Sequence, residues 1–256
     1  MNRPDHVDAY GSLPEQIVEL YRAAQRDEDD GSRGLVVLLH GGFWRSRWDR
    51  THLRPLAAAL AAAGWTVALP EFRRVGDGGG WPATFDDVRA IVSRVPGLVR
   101  ERFGQTPASS PAPVVLAGHS AGGHLAVWAA AQEPLRASVD RVVALAGVLD
   151  LTEGHRLALS SDAVGELLGG AASPGFAERL AAADPMLLEV PVTVGIATVL
   201  VHGELDDEVP VSFSRGYAER DPRIRFEPLP GVGHYELIDP SSDVFAQVLA
   251  ALADAH

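Results

Sequence analysis

Ser120 stands at the centre of Gly118-His119-Ser120-Ala121-Gly122, after the apolar run PVVLA (113–117) and before an alanine-rich stretch. A strand-to-helix turn of the form G-x-S-x-G strains its central residue and lifts the hydroxyl clear of the sheet. The helix start then directs backbone N–H groups and a partial positive charge at that hydroxyl. Side chains two positions away would clash, which accounts for Gly118 and Gly122. A serine is a weak nucleophile at neutral pH and needs a base within hydrogen-bond reach, itself oriented by a third group. The chain offers both downstream: Asp206 in HGELDDEVP, just beyond ATVLV (197–201), and His234 in the glycine-flanked GVGHYE. The order Ser120, Asp206, His234 suits this strand-turn-helix context. Asp207 is the adjacent rival for the acid, and Asp150 a second; Asp206 is favoured, with Asp150 read as a helix cap.

Attack of a hydroxyl on a carbonyl builds negative charge on oxygen, which two preorganised N–H groups offset. Ala121 is expected to supply one. The other is expected from HGGFW (40–44), which follows LVVLL (35–39). Gly41 and Gly42 let that backbone turn and approach closely, so Gly42 is assigned as donor, with Phe43 as a third candidate. His40 is read as holding the loop rather than as the base. His119 and His124 are read as packing beside the serine, while His6, His52, His155, His202 and His256 show no partner pattern. No pair of histidines marks a metal site. Phe43, Trp44, Arg73, Arg74 and Trp81 fall in loops after strands, where open sheets bind ligands. Trp44, Trp81 and Arg74, with His119, are the expected substrate contacts. The alternative is that the tryptophans pack the loops and the arginines pair with Glu71 or Asp77.

Positioning these groups requires a sheet. Short apolar runs alternate with longer amphipathic stretches, the pattern of a mostly parallel α/β architecture. Strands are predicted at 35–39, 65–69, 113–117, 141–146, 197–201 and 223–228, and helices at about 50–63, 84–103, 121–132, 211–220 and 241–254. Residues 16–22 (QIVELYR) read as an antiparallel edge strand before the charge run RDEDDGSRG. The segment 151–192 breaks the rhythm and reads as a small helical cap inserted in a single domain spanning 1–256.

Composition narrows the chemistry. Of 256 residues, 46% are hydrophobic and 22% charged, ordinary for a globular chain of one large domain, and no apolar stretch approaches the ~20 residues of a membrane span. A net charge of −12 argues against a nucleic-acid partner. All basic residues are Arg, which excludes Schiff-base, P-loop and Ser-x-x-Lys lysine chemistry. The lack of Cys excludes thiolate nucleophiles and zinc–cysteine sites. The polar N-terminus MNRPDHVDAY lacks a secretory apolar core, so a cytoplasmic location is expected.

Together HGGFW, GHSAG, HGELDDEVP and GVGHYE resemble the α/β-hydrolase superfamily, in particular its serine esterases, over about residues 10–250. The H-G-G-x-W form is most similar to carboxylesterases of the kynurenine formamidase (arylformamidase) type, with prolyl-oligopeptidase-like hydrolases as near relatives. The resemblance implies an eight-stranded sheet with helices on both faces and a pocket above the strand ends, roofed by the cap. It implies hydrolysis of a small carboxylic ester or aryl amide or formamide through an acyl-enzyme, with no cofactor. The short 151–192 segment speaks against a lipase lid, and the lack of a propeller against an oligopeptidase. Alternatives are acyl transfer or cyclisation by the same residues, a prolyl-oligopeptidase-like peptidase, and a non-catalytic receptor. The expected partners are a small-molecule ester or amide, with neither nucleic acid nor membrane, and the expected state a monomer or homodimer.

Overall fold

Every residue of Leu35–Leu39 is buried, as in a strand covered by helices on both sides. Successive side chains part company: Leu35, Val37 and Leu39 join one hydrophobic cluster, Val36 and Leu38 another. The structure, a computed structural model, describes residues 3–24, 32–104 and 112–253. His256 lies outside the described residues, as does part of the charge run 26–34.

The strands are β1 (His6–Ala9), β2 (Ile17–Tyr21), β3 (Leu35–Leu39), β4 (Thr66–Pro70), β5 (Val114–His119), β6 (Arg141–Leu145), β7 (Ala197–Gly203) and β8 (Arg225–Leu229). Among the described residues they form one eight-stranded sheet in the order β1-β2-β4-β3-β5-β6-β7-β8. Pairing is parallel from β4 through β8 and antiparallel at β1 and β2. The 16–22 expectation is corrected in one respect. β2 is antiparallel, but it lies one strand in, because β1 pairs along its outer side. The four residues HVDA of β1 are largely exposed and carry no apolar signature.

The helices are α1 (Arg54–Ala62), α2 (Ala83–Phe103), α3 (Ala121–Ala130), α4 (Glu133–Arg136), α5 (Leu151–Arg156), α6 (Leu159–Leu167), α7 (Phe176–Ala183), α8 (Val211–Ala218) and α9 (Phe245–Ala253). Phe85 and Ile91 of α2, Leu125 and Trp128 of α3, and Phe213 and Tyr217 of α8 build the core on one face of the sheet. Leu56 and Leu60 of α1 pack with Val248 and Leu252 of α9 on the other. Helix α3 is buried at every position, which explains its composition of alanine, glycine and apolar residues with no polar stripe. Among the described residues no helix is long and apolar enough to cross a membrane.

Between β6 and β7 lie α5, α6 and α7 with two short turns, Pro185–Leu187 and Pro191–Val194. Ala158, Ser160, Ser161 and Asp162 have φ of 49–59°, a left-handed turn that non-glycine residues adopt only at a cost. Arg45 grips it: Nη2 donates to the Ser160 carbonyl at 2.7 Å, Nη1 to Ser160 Oγ at 3.0 Å, and Nε to Glu166 Oε2 at 2.6 Å. The buried Asp184 carboxylate joins the ends of the segment, accepting from Leu151 N, Thr152 N and Oγ1, and Met186 N.

Candidate active site

Strands β5 and β7 run two residues further than their apolar cores indicated, so His119 ends one and Gly203 the other. Ser120 follows at φ 55°, ψ −120°, and Ala121 opens α3. Such a conformation costs a non-glycine residue about 1–3 kcal/mol, so the surroundings must enforce it. They do: Ser120 N donates to the Leu145 carbonyl at 2.8 Å, and its carbonyl accepts from His124 N at 3.1 Å and Val148 N at 3.3 Å. The turn closes tightly enough that a Cβ on Gly118 would lie 2.1 Å from the Gly122 carbonyl oxygen, and one on Gly122 would lie 2.2 Å from that of Leu39. Helix geometry leaves the first-turn amides of α3 without intrahelical acceptors, Ala121 N–H among them.

The loop after β3 lies against this turn. A Cβ on Gly41 would sit 3.0 Å from Ser120 Cβ. His40 stacks on Phe72 at 4.3 Å, with Nε2 2.8 Å from Glu71 Oε1 and Nδ1 2.8 Å from the Gly41 carbonyl. It is therefore a loop support, as the sequence indicated. Because a trans peptide sets C=O and N–H in opposite directions, tying the Gly41 carbonyl to His40 aims Gly42 N–H away from that ring. Gly42 has φ 109°, which glycine adopts readily, and the left-handed strain of the loop falls on Phe43 at 50° and Trp44 at 58°. Burial alone would raise the proton affinity of Glu71, but His40, Arg50 N–H and the Arg74 charge hold it below the ordinary carboxylate value.

His234 and Asp206 meet above these turns. His234 Nδ1 lies 2.6 Å from Asp206 Oδ2, with both side chains almost wholly buried. Asp206 Oδ1 accepts from Glu208 N at 2.9 Å and Val209 N at 2.8 Å. Burial pushes the Asp206 carboxyl up, yet the contacts with His202 and His234, the His234 charge and the Val209 N–H outweigh it. The group is held well below the usual carboxylate range. The His234 loop is also tied to the serine turn: His119 Nε2 donates to the His234 carbonyl at 3.0 Å, and the two rings lie 4.4 Å apart. Burial and the His234 charge push His119 well below its ordinary value, so it stays neutral. Asp207 is exposed and Asp150 caps α5 through Glu153 N at 2.8 Å, so neither rival holds the imidazole in this arrangement.

The expected substrate contacts divide. Trp44 is 1% exposed, edge-on to His124 at 5.2 Å, and Arg74 is 7% exposed, bonded to Trp48 O and paired with Glu71. Both expectations are corrected, because neither side chain presents a surface to a ligand. Trp81 is half-buried and packs at 4.9 Å on Phe85, while Phe43 leans on the core, and the buried His119 packs beside the His234 ring. Arg73 pairs with Asp87. His124, pushed by burial down to about 4, donates to the Ala183 carbonyl and is a packing residue. The aromatics that reach solvent here are ones the sequence reading passed over: Trp48, 49% exposed and packed on Gly42, and Tyr235, 58% exposed and perpendicular to the His234 ring at 5.1 Å. Their positions, four residues past Trp44 and one past the histidine, were the available signal. Among the described residues no group of three or more His, Cys, Asp or Glu could hold a metal.

The BD-FAE family model matches residues 19–220. Among curated protein sequences none matches this chain. Solved structures similar to it include a truncated carbohydrate esterase from gut microbiota (19% identity over 91% of this chain and 90% of that one, TM-score 0.69). Another is the propionate-bound esterase Est2 of Thermogutta terrifontis (20%, 98% and 96%, 0.66). Esterase B of Lactobacillus rhamnosis, in an inhibited form, is a third (19%, 96% and 85%, 0.71). At these identities the likeness shows the fold, that of the α/β-hydrolases.

Proposed function

We propose that this chain, which belongs to the BD-FAE family, is a serine hydrolase that cleaves a small carboxylic ester through an acyl-enzyme. The observation that carries the reading is the 2.6 Å contact of His234 Nδ1 with a buried, ionised Asp206, in a loop strapped to the residue before a strained serine. A carboxylate on Nδ1 keeps the proton there and leaves Nε2 as the basic nitrogen. His234 then takes the Ser120 proton as Oγ attacks the carbonyl carbon. Charge on the carbonyl oxygen is offset by Ala121 N–H and Gly42 N–H, with Phe43 N–H beside them. Collapse breaks the ester C–O bond, and His234 returns its proton to the departing alkoxide. Water, deprotonated by the same imidazole, attacks the acyl-enzyme and frees the acid. No cofactor enters these steps.

Trp48, packed on Gly42, and Tyr235, packed on His234, hold half-exposed rings, which supports a leaving group or acyl group with a flat apolar face. The esterase relatives support an ester over a formamide, and the H-G-G-x-W stretch places aryl formamides in the same test. The purified protein should hydrolyse p-nitrophenyl acetate and take up a fluorophosphonate probe, and Ser120→Ala should abolish both while retaining the wild-type circular dichroism spectrum. A folded Ser120→Ala protein with undiminished turnover would overturn the assignment. A panel of sugar acetates, aryl esters and N-formyl arylamines would then rank substrate classes.

A further inference from the structure

We propose that His202 is a positioning residue for the Asp206–His234 pair, holding the acid's outer oxygen and setting how strongly that carboxylate draws a proton onto His234. The role rests on the hydrolase reading; the contact itself does not. His202 lies near the end of β7 with its ring fully buried. Its Nε2 is 3.0 Å from the Val209 carbonyl and 3.2 Å from Asp206 Oδ2. A carbonyl only accepts, so Nε2 carries the proton and donates it to Val209 O, with the Asp206 carboxylate oxygen 3.2 Å from the same polar N–H. Nδ1 lies 2.7 Å from Ser214 Oγ of α8, whose hydroxyl supplies the proton on that side and pins the ring from a second element.

Asp206 Oδ2 therefore sits between two imidazoles, His234 at 2.6 Å and His202 at 3.2 Å, while Oδ1 takes the amides of Glu208 and Val209. The other titratable groups facing His234 are the neutral His119 ring at 4.4 Å and Tyr235 at 5.1 Å, the latter bonded to Glu208. Each donor on Asp206 spreads its charge. Without His202, more charge remains on the oxygen that faces His234, the imidazolium is favoured, and a neutral base is reached only at higher pH. The carboxylate also loses the lateral contact that stops it turning away from the ring.

The test titrates His234 by NMR in histidine-labelled protein and follows ester turnover in the same samples. His202→Leu keeps most of the volume and removes the donor; His202→Gln retains an amide N–H near the Nε2 position. The His234 midpoint should rise by about half a pH unit in the leucine variant and return toward wild type in the glutamine variant. Turnover should fall about 10- to 100-fold in kcat, with little change in KM, because the lost contact acts on alignment. Ser214→Ala, which only frees the ring, should shift the midpoint the same way by less. If His202→Leu does not fold, Ser214→Ala and the wild-type His202 tautomer decide. An unmoved His234 midpoint in the folded variants, or a wild-type His202 protonated on Nδ1 instead of Nε2, would overturn the proposal. Absence of turnover and of probe labelling would instead count against the hydrolase reading, since the His234 titration reads the coupling without substrate.

Discussion

Asp206 has no exposed side-chain surface and yet remains ionised, because backbone amides hold one oxygen and imidazoles the other. Removing its charge has two separable effects. Asp206→Asn cannot hold the proton on His234 Nδ1, and kcat should drop by about 10⁴ with the fold intact, measured as steady-state hydrolysis of an aryl ester. The second effect is on stability. A carboxyl whose folded value is depressed contributes stability that is complete above its unfolded value of about 3.9 and is lost as pH falls toward the folded one. Denaturant midpoints should therefore decline below about pH 4 in wild type and decline less in Asp206→Asn. In sequence Asp206 is the favoured partner for His234 over the adjacent Asp207 and over Asp150, and the buried contact with the imidazole belongs to Asp206. The loop aromatics were harder: Trp44 and Trp48 share a segment, and the left-handed φ at Phe43 and Trp44 sends the first into the core.

At the scale of the element, the serine turn depends on α3 lying against the carboxyl end of β3. Gly122 permits that approach, since a Cβ there would meet the Leu39 carbonyl oxygen at 2.2 Å and that of His40 at 2.6 Å. Both obstacles are backbone, so no side-chain rotation relieves them. Gly122→Ala should lose about 3 kcal/mol in chemical denaturation, the upper end of overpacking costs, and lose ester turnover with it. The central strands and their helices were legible because parallel strands covered on both faces are uninterrupted apolar runs. The edge strand β1 was not, since a short exposed strand is specified by its partner β2 rather than by its own residues. The left-handed start of α6 was equally hidden; its sequence, LSSDAVGEL, reads as an ordinary helix.

Across the whole molecule, the sheet separates two cores, and the carboxyl ends of its interior strands β3, β5 and β7 carry the loops that hold His40–Trp44, Ser120 and Asp206. The chain carries a formal net charge of −12. An ester bearing a carboxylate on its acyl chain should therefore show a lower kcat/KM than its neutral isostere. The gap should narrow as salt rises from about 0.02 M to about 0.5 M, where the screening length shrinks to a few ångströms. A gap that ignores salt would locate the discrimination in the site itself. Arg45 joins the loop after β3 to the unusual turn that begins α6, more than a hundred residues along the chain. Chimeras that replace residues 151–194 with a segment lacking this turn would thus leave the Arg45 guanidinium without Ser160 and Glu166, beside the left-handed Phe43–Trp44 stretch. A graft exchanged together with residue 45 should therefore keep a higher denaturant midpoint than the same graft made alone.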